Sequence, residues 1–375
     1  MTPQPITTLV FQNAGSSDQT GLLEAILEAS EDATYGAAAY AWASANGLRL
    51  VLEDDAFVRF LDQGAFDLVI GVDAITDTRC LDAAEQLLRT HSNLSLTVFL
   101  HEKSALFHPK LCWFRTRSGG IIIAGSGNLT LGGLRSNWEA FTVTPLSRSQ
   151  TDALEHQWNQ WRRDHATYLL TPSDARVRER AASNVAWEGN ARRRPVVSVP
   201  PLDEEQALAA ETTGDVDAEA RLAAPALIAE IPRAERRWRQ ANFDVQTYEG
   251  FFRASVGAKR RILLQYVNTD GTLEPVETRQ SVEVKSRNFR IELGHAPHEE
   301  YPDAGRPIGL FIRQATDVFH YHVVMPRDAE YATVSEILAL RWKGSERRVR
   351  RVELTAAELR EVWPEGPFWK VAAPE

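Results

Sequence analysis

HPKLCWFRTRSGGIIIAGSGNLT, residues 108–130, is the stretch that decides the fold of the first part of the chain. Two apolar runs, Leu111–Phe114 and Gly120–Ala124, are separated by a short polar segment that ends in Gly119, and this pattern predicts a β-hairpin. The second run leads into Gly125-Ser126-Gly127-Asn128, a turn whose glycines let backbone amides approach a ligand closely. We therefore expect a polar site where these strands end.

The residues before and after this stretch alternate between strand-like and helix-like patterns. Apolar runs predict strands at Ile6–Phe11, Leu48–Leu52, Phe66–Val72, Leu94–Leu100 and Phe141–Val143. Helical spacing or alanine-rich composition predicts helices at Leu22–Ala29, Tyr35–Ala45, Leu81–Leu88 and Leu154–Trp161. The alternation favours a largely parallel sheet, to which the hairpin adds antiparallel strands. We expect an α/β domain over residues 1–170, with a mixed sheet flanked by helices.

The rest of the chain has a different pattern. Periodicity fades over residues 171–226, which are partly acidic and predict a linker. Strand-like runs then return at Arg261–Val267, Ser281–Ile291, Ile308–Arg313 and His320–Met325. We expect a second, β-rich domain over residues 227–353 and a C-terminal tail over residues 354–375.

Composition limits the class of protein. The chain has 375 residues, 43% of them hydrophobic and 25% charged, and it has no apolar run of about 18 residues. Its two cysteines, Cys80 and Cys112, are too few for a disulfide framework or a cysteine-rich zinc site. The N-terminus lacks the basic and apolar segments of a secretory signal. We expect a cytoplasmic protein of two domains with no membrane partner.

The net charge of −9 does not exclude a nucleic-acid partner, because its distribution is uneven. Acidic residues are concentrated in the first part of the chain, especially between Asp203 and Glu219. Basic residues of the second domain lie in clusters.

The residue types around the hairpin suit a phosphodiester. His108 and Lys110 are two apart, so in a strand they project to the same face. Lys110 supplies positive charge, while Ser126, Asn128 and the turn amides supply neutral donors that offset charge on phosphate oxygens. A histidine can attack phosphorus and form a covalent intermediate. Glu139 is a candidate to hold the other ring nitrogen in one tautomer.

Together, these motifs resemble the signature of the phospholipase D superfamily, H-x-K followed by a G-S-x-N turn. Arg115 stands where the superfamily usually has an Asp. This departure resembles the metal-independent restriction endonucleases, in which a Glu downstream of the Asn joins the site. The resemblance implies a phospholipase D-like domain without metal or other cofactor, and a catalytic set of His108, Lys110, Asn128, Glu139 and Ser126. Because the motif occurs once, it also implies a homodimer in which one His108 attacks phosphorus and the other protonates the leaving oxygen.

The second domain resembles the DNA-binding pseudobarrel of those endonucleases. The stretches behind this resemblance run from Ile231 to Phe243 and from Lys285 to Arg290. Arg, Gln and Asn side chains reach base edges, and Lys and Arg engage phosphates. The predicted DNA-binding residues are Arg236, Arg239, Gln240, Asn242, Lys285, Arg287, Asn288 and Arg290.

These features favour a metal-independent DNA endonuclease of a restriction-modification or antiviral defence system. Whether a methyltransferase or helicase of the same system is a partner stays open. One alternative is a phosphodiesterase that acts on phospholipid or another substrate. Another is a non-catalytic DNA-binding subunit of a defence complex.

Overall fold

The computed structural model describes residues 6–13, 21–101, 105–191, 222–233, 238–254, 261–280, 282–284, 288–314, 318–344 and 349–371. The chain divides into two compact units. The described residues up to Ala191 form the first unit, and those from Leu222 onward form the second. Within these ranges, no helix is both long and apolar enough to cross a membrane.

The described strands of the first unit form one eight-stranded sheet with the order β1-β7-β6-β5-β2-β3-β4-β8. Its members are β1 (Thr8–Gln12), β2 (Ala33–Tyr40), β3 (Ala65–Gly71), β4 (Leu94–Phe99), β5 (Lys110–Thr116), β6 (Gly119–Gly125), β7 (Glu139–Ser147) and β8 (Leu169–Leu170). The β2, β3 and β4 strands are parallel neighbours, and every other pairing is antiparallel. The predicted mixed sheet and the β5–β6 hairpin are confirmed, whereas the largely parallel arrangement is wrong.

Helices cover both faces of this sheet. They are α1 (Leu22–Ser30), α2 (Ala45–Leu52), α3 (Asp55–Gln63), α4 (Thr78–Thr90), α5 (Arg148–Asp164) and α6 (Ala175–Ala191). Trp113 and Phe114 are consecutive on β5 and therefore point to opposite faces. Trp113 shares a core cluster with Trp158 of α5. Phe114 packs edge-on against Phe57 and Phe60 of α3, with ring centroids 6.3 and 5.8 Å away.

Two elements have a different secondary structure from the one predicted. The alanine-rich stretch Tyr35–Ala45 was expected to be helical, but most of it forms β2, since small residues such as Ala37 leave room for the paired Trp113. The run Leu48–Leu52, expected to be a strand, lies in α2. All of its side chains except Arg49 are apolar and buried, because α1, α3 and α4 pack around this short helix. Burial on several sides removes the helical periodicity from the sequence.

The second unit is rich in β-strands. Its strands are β9 (Pro225–Glu230), β10 (Gln240–Asp244), β11 (Ile262–Tyr266), β12 (Glu277–Arg279), β13 (Val282–Val284), β14 (Asn288–Glu292), β15 (Ile308–Arg313), β16 (Val318–Val324) and β17 (Arg351–Thr355). They form a three-stranded sheet, β10-β14-β13, and a six-stranded sheet, β12-β11-β16-β15-β9-β17. Helices α7 (Val245–Gly250), α8 (Tyr331–Arg341) and α9 (Ala356–Val362) complete it. These described strands do not close into a barrel, and the pseudobarrel relationship stays a prediction.

Regular structure extends into both stretches that were predicted to lie outside the domains. Helix α6 falls in the predicted linker, where Asn184 donates to the carbonyl of Val72 at 2.7 Å and so attaches the helix to the first unit. Helix α9 falls in the predicted tail, and its Leu359 is buried in a core cluster of the second unit.

Candidate active site

Four strands of the first unit bring polar residues to one edge of the sheet. The β2 and β6 strands end there, and their antiparallel neighbours β5 and β7 begin there. The register pairs Tyr40 with Lys110 and Gly125 with Phe141. This edge therefore carries the ends that bear the five predicted residues, His108, Lys110, Ser126, Asn128 and Glu139.

His108 and Lys110 form a hydrogen-bonded pair above a buried indole. The Lys110 Nζ atom lies 2.9 Å from Nε2 and 3.3 Å from Nδ1 of the His108 ring. Trp42 lies next to both side chains, with its centroid 4.9 Å from Lys110 Nζ and 4.8 Å from the His108 ring. The imidazole is exposed, whereas Trp42 is buried. A large anionic substrate can therefore reach a histidine that is positioned by an aromatic support and an ammonium.

Trp42 was not predicted as a site residue. Ala41 just before it donates its backbone N–H to the Pro109 carbonyl at 2.7 Å, and Leu129 donates to the Trp42 carbonyl at 3.1 Å. The segment after β2 thus connects the two halves of the sequence motif. No sequence signal marked Trp42, because the stretch that contains it was predicted to be a helix.

Ser126 and Glu139 join the turn after β6 to the start of β7. The Ser126 hydroxyl donates to Glu139 Oε2, and it accepts from the backbone N–H of Ala140 at 3.1 Å. Glu139 is only 9% exposed, and its Oε1 accepts from Asn137 Nδ2 at 3.4 Å. The Glu139 carboxylate was expected to orient the His108 ring, but the hydrogen bonds that the structure shows for it are to Ser126 and Asn137.

Asn128 is the last residue of the turn and is 1% exposed. A side chain at Gly133 would place its Cβ atom 2.4 Å from the Asn128 backbone nitrogen, so this approach requires glycine. Leu129 pairs with Ala43 in a parallel bridge that fixes the other side of the turn. The backbone of the Gly-Ser-Gly-Asn turn is held by packing on both sides.

Buried polar groups that the sequence analysis missed support this turn. Gln12 donates to the carbonyls of Gly133 and Asn137 at 3.2 and 3.1 Å, and its Oε1 accepts from Leu22 N at 2.8 Å. Arg135 forms an ion pair with Glu24 of α1, and both side chains are buried. No spacing in the sequence links Gln12 or Glu24 to a turn more than a hundred residues away.

Arg115 has no place in this site. It lies near the far end of β5 from Lys110 and forms ion pairs with Asp152 and Glu155 of α5, at 2.7 and 2.6 Å. Hydrogen bonding to Asp152 raises the pKa of the guanidinium further above its usual value. Arg115 therefore attaches α5 to the sheet.

The structure groups half of the predicted DNA-binding residues. Successive residues of a strand face opposite sides, and Phe243 and Phe289 point into the core from the β10–β14 pair. The opposite face of this pair carries four predicted DNA-binding residues, Gln240, Asn242, Asn288 and Arg290. Two carboxylates, Asp244 and Glu292, share this face. Arg239 is bonded instead to the Gly294 carbonyl and to His298, at 3.3 and 2.9 Å. Arg236, Lys285 and Arg287 lie outside the described residues.

A large aromatic side chain is exposed next to Glu139. This side chain, Trp138, is 74% exposed. Its position follows from the alternation of β7, which turns Glu139 inward and the preceding residue outward. On the paired strand β1, Leu9 and Phe11 are 57% and 61% exposed.

The described part of the chain contains no cluster of three or more His, Cys, Asp or Glu residues suited to hold a metal ion.

No family model matches the chain, and no curated protein matches it. Solved structures similar to part of it include NucT from Helicobacter pylori, with 12% identity over 45% of this chain and 99% of that one, at a TM-score of 0.32. Nuc from Salmonella typhimurium, a phospholipase D family member, shares 13% identity over 44% of this chain and 97% of its own, at a TM-score of 0.29. Phosphatidylserine synthase from Haemophilus influenzae Rd KW20 shares 14% identity over 50% and 46%, at a TM-score of 0.34. At these identities and TM-scores the structural likeness gives no information about function. The residues of the site must supply that information instead.

Proposed function

We propose that the first unit hydrolyses phosphodiester bonds of DNA, with His108 as the nucleophile. The observation that carries this proposal is the exposed His108 ring, 2.9 Å from Lys110 Nζ, at the strand ends that also hold the Ser126–Glu139 pair. An ammonium beside the nucleophile attracts a phosphate and offsets the charge that develops on its oxygens.

The reaction proceeds in two steps. A nitrogen lone pair of His108 forms a bond to phosphorus while the bond from phosphorus to the leaving oxygen breaks. The leaving oxygen takes a proton from the imidazolium of a second His108. Water then attacks phosphorus, the P–N bond breaks with its electron pair returning to the first ring, and the water proton passes to the second ring. No metal is needed in this scheme, because the ammonium of Lys110 supplies the positive charge that offsets the charge on the phosphate oxygens.

The neighbouring residues position the phosphate. Glu139 fixes the Ser126 hydroxyl, which anchors the start of the turn, and the buried Asn128 fixes its end. The Ser126 backbone N–H also donates to the Ala140 carbonyl at 3.0 Å, so the turn is held in one arrangement and needs no reorganisation during the reaction.

A second copy of the chain supplies the second His108 in this proposal. The dimer axis must pass close to the ends of β5 and β6. If two copies instead paired along the edge strand β1, seven strand spacings of about 4.8 Å would separate the two β5 strands, about 34 Å in all. Two histidines at that distance could not act on one phosphorus atom.

DNA recognition belongs to the second unit in this proposal. The face formed by Gln240, Asn242, Asn288 and Arg290 offers donors and acceptors of the kind that read base edges. Arg290 Nε already donates to Asn242 Oδ1 at 3.2 Å, which orders both side chains before DNA binds. A role in restriction or phage defence, beside a methyltransferase or helicase, fits an endonuclease with its own recognition unit.

Plasmid cleavage in excess EDTA tests the proposal. We expect supercoiled plasmid to be nicked or linearised without divalent metal, and H108A to leave it intact while still binding DNA. Complete dependence on added magnesium would contradict the mechanism. Sequencing the DNA ends would then give the cut position and any sequence preference.

One observation favours a second candidate, hydrolysis of a phospholipid. The exposed Trp138, Phe11 and Leu9 form an apolar surface near the site, and tryptophan is common where proteins meet lipid headgroups. The test compares release of headgroups from phosphatidylcholine or phosphatidylglycerol vesicles with cleavage of DNA at an equal concentration of phosphodiesters. Faster headgroup release would support phospholipid hydrolysis over DNA cleavage.

A further inference from the structure

A cavity of about 330 Å³ lies within the second unit, between β16 and the turn that follows α9. Three buried aromatic rings line it. The Tyr266 and His322 centroids are 5.5 Å apart with an interplanar angle of 28°, and the His322 and Trp363 centroids are 6.2 Å apart at 42°. A cavity that combines aromatic rings with polar and charged side chains suits a small flat ligand with polar edges.

His322 presents a hydrogen-bond acceptor in this cavity. Its Nδ1 atom lies 2.8 Å from the Val267 carbonyl oxygen, which can only accept, so Nδ1 carries the proton and Nε2 carries the lone pair. The ring is 5% exposed, and burial lowers the pKa of His322, so the imidazole stays neutral. Nε2 has no hydrogen-bond partner among the residues that the structure describes.

Trp363 contributes its ring to the same lining, whereas its Nε1 atom is buried away from the cavity. Its side chain is 4% exposed, and its Nε1 is buried without a partner within the described ranges. Buried polar atoms are nearly always paired in folded proteins, because an unpaired one loses its hydration without compensation. The unpaired acceptor of His322 therefore calls for a molecule that brings a donor into the cavity.

We propose that this cavity binds a nucleobase, whose edge donates to His322 Nε2. The carboxylates of Glu330 and Glu365 also line the cavity, and as acceptors they favour the bases with an exocyclic amino group, adenine, cytosine and guanine, over thymine. Lys370 is placed to meet an attached phosphate. The base comes either from a free nucleoside or nucleotide, or from a nucleotide extruded from a DNA duplex. The proposal is independent of the chemistry at His108.

Equilibrium dialysis of the full-length protein against labelled cytidine, adenosine and thymidine tests the free ligands. We expect cytidine and adenosine to bind with a Kd below about 1 mM, and thymidine at least tenfold more weakly. H322F keeps a flat ring without the acceptor and should weaken cytidine binding at least tenfold. Glu330 is exposed, so E330Q carries little risk to folding. It should reduce the difference in Kd between cytidine and thymidine. E336Q, at an exposed position on α8 outside the cavity, is the matched control with unchanged binding.

A DNA measurement separates the two sources of the base. In the H108A background, a duplex with one mismatched cytosine should bind more tightly than the matched duplex if the base is extruded. H322F should remove that difference. Binding of free cytidine supports a small-molecule ligand, and tighter binding of the mismatched duplex alone supports an extruded base. The proposal is overturned if neither free nucleosides nor the mismatched duplex bind, or if H322F and E330Q leave both affinities unchanged. The cavity would then hold only water.

Discussion

The two units hold a histidine in opposite environments. His108 is exposed at a sheet edge, and its ring contacts an ammonium. His322 is buried among aromatic rings, and its Nδ1 contacts a backbone carbonyl. The first arrangement suits a ring that must reach phosphorus and gain positive charge during a reaction. The second keeps a ring neutral and suits the recognition of an uncharged ligand. The comparison indicates that contacts and burial, not residue type, decide what each histidine can do.

Removing the exposed ring should have the largest effect. H108A is expected to lower the rate of plasmid cleavage by at least about 1,000-fold, because no nucleophile remains. H156A, which removes an exposed histidine of α5, is the matched control and should cleave at the wild-type rate. Initial rates of nicking in EDTA measure both. Equal losses in the two variants would remove the distinction between His108 and any surface histidine.

Removing the ammonium should have the next largest effect. K110M keeps the length of the side chain without its charge, and we expect a loss of about 100- to 1,000-fold in kcat. K110R keeps the charge but cannot reproduce the compact contact with His108, so it should recover only part of the rate. A K110M variant whose kcat is unchanged while KM rises would show that Lys110 only attracts DNA.

The Ser126–Glu139 pair offers a smaller and more diagnostic effect. S126A and E139A should each slow cleavage about 10- to 100-fold, and the double variant should be no slower than the worse single one, because both remove the same hydrogen bond. Additive losses in this double-mutant cycle would mean that Glu139 acts on something other than the turn, such as the His108 ring.

The smallest effect concerns the buried histidine and stability. Burial lowers the pKa of His322 in the folded state, so the unfolded chain binds more protons below about pH 6.5. The stability of the second unit should therefore fall as pH drops below that value, by at most about 1.4 kcal/mol per pH unit from this group. Asp328, Glu330 and Lys370 also act on the ring, so H322F is the necessary comparison. Urea unfolding followed by tryptophan fluorescence at pH 7 and pH 5 should show a smaller decrease in H322F than in the wild type. An equal decrease in both would contradict a neutral His322.

The sequence predicted the elements whose signal is local. The β5–β6 hairpin could be identified because two apolar runs flank a polar turn, and α4 because its apolar residues recur at helical spacing. The β2 strand was predicted as a helix because alanine favours helices, and α2 was predicted as a strand because its residues from Leu48 to Leu52 are mostly apolar and buried. Side-chain preference then misleads, as alanine does in β2.

The site shows the same limit. His108, Lys110 and the Gly-Ser-Gly-Asn turn are close in sequence, so their spacing was informative. The contacts of Glu139 could not be predicted, because they depend on where the turn after β6 meets the start of β7. Trp42, Gln12 and the Glu24–Arg135 pair reach the site from distant positions, and only the folded sheet brings them there.

Trapping of the covalent intermediate tests the central claim most directly. DNA labelled with ³²P at internal phosphates would be mixed with the protein in EDTA and quenched within one turnover. The labelled peptide would then be identified by mass spectrometry. We predict a label that is stable in base and labile in acid, carried by the peptide that contains His108 and absent from H108A. Cleavage that proceeds at full rate with no labelled protein at any time point would contradict the account, since water would then attack phosphorus directly.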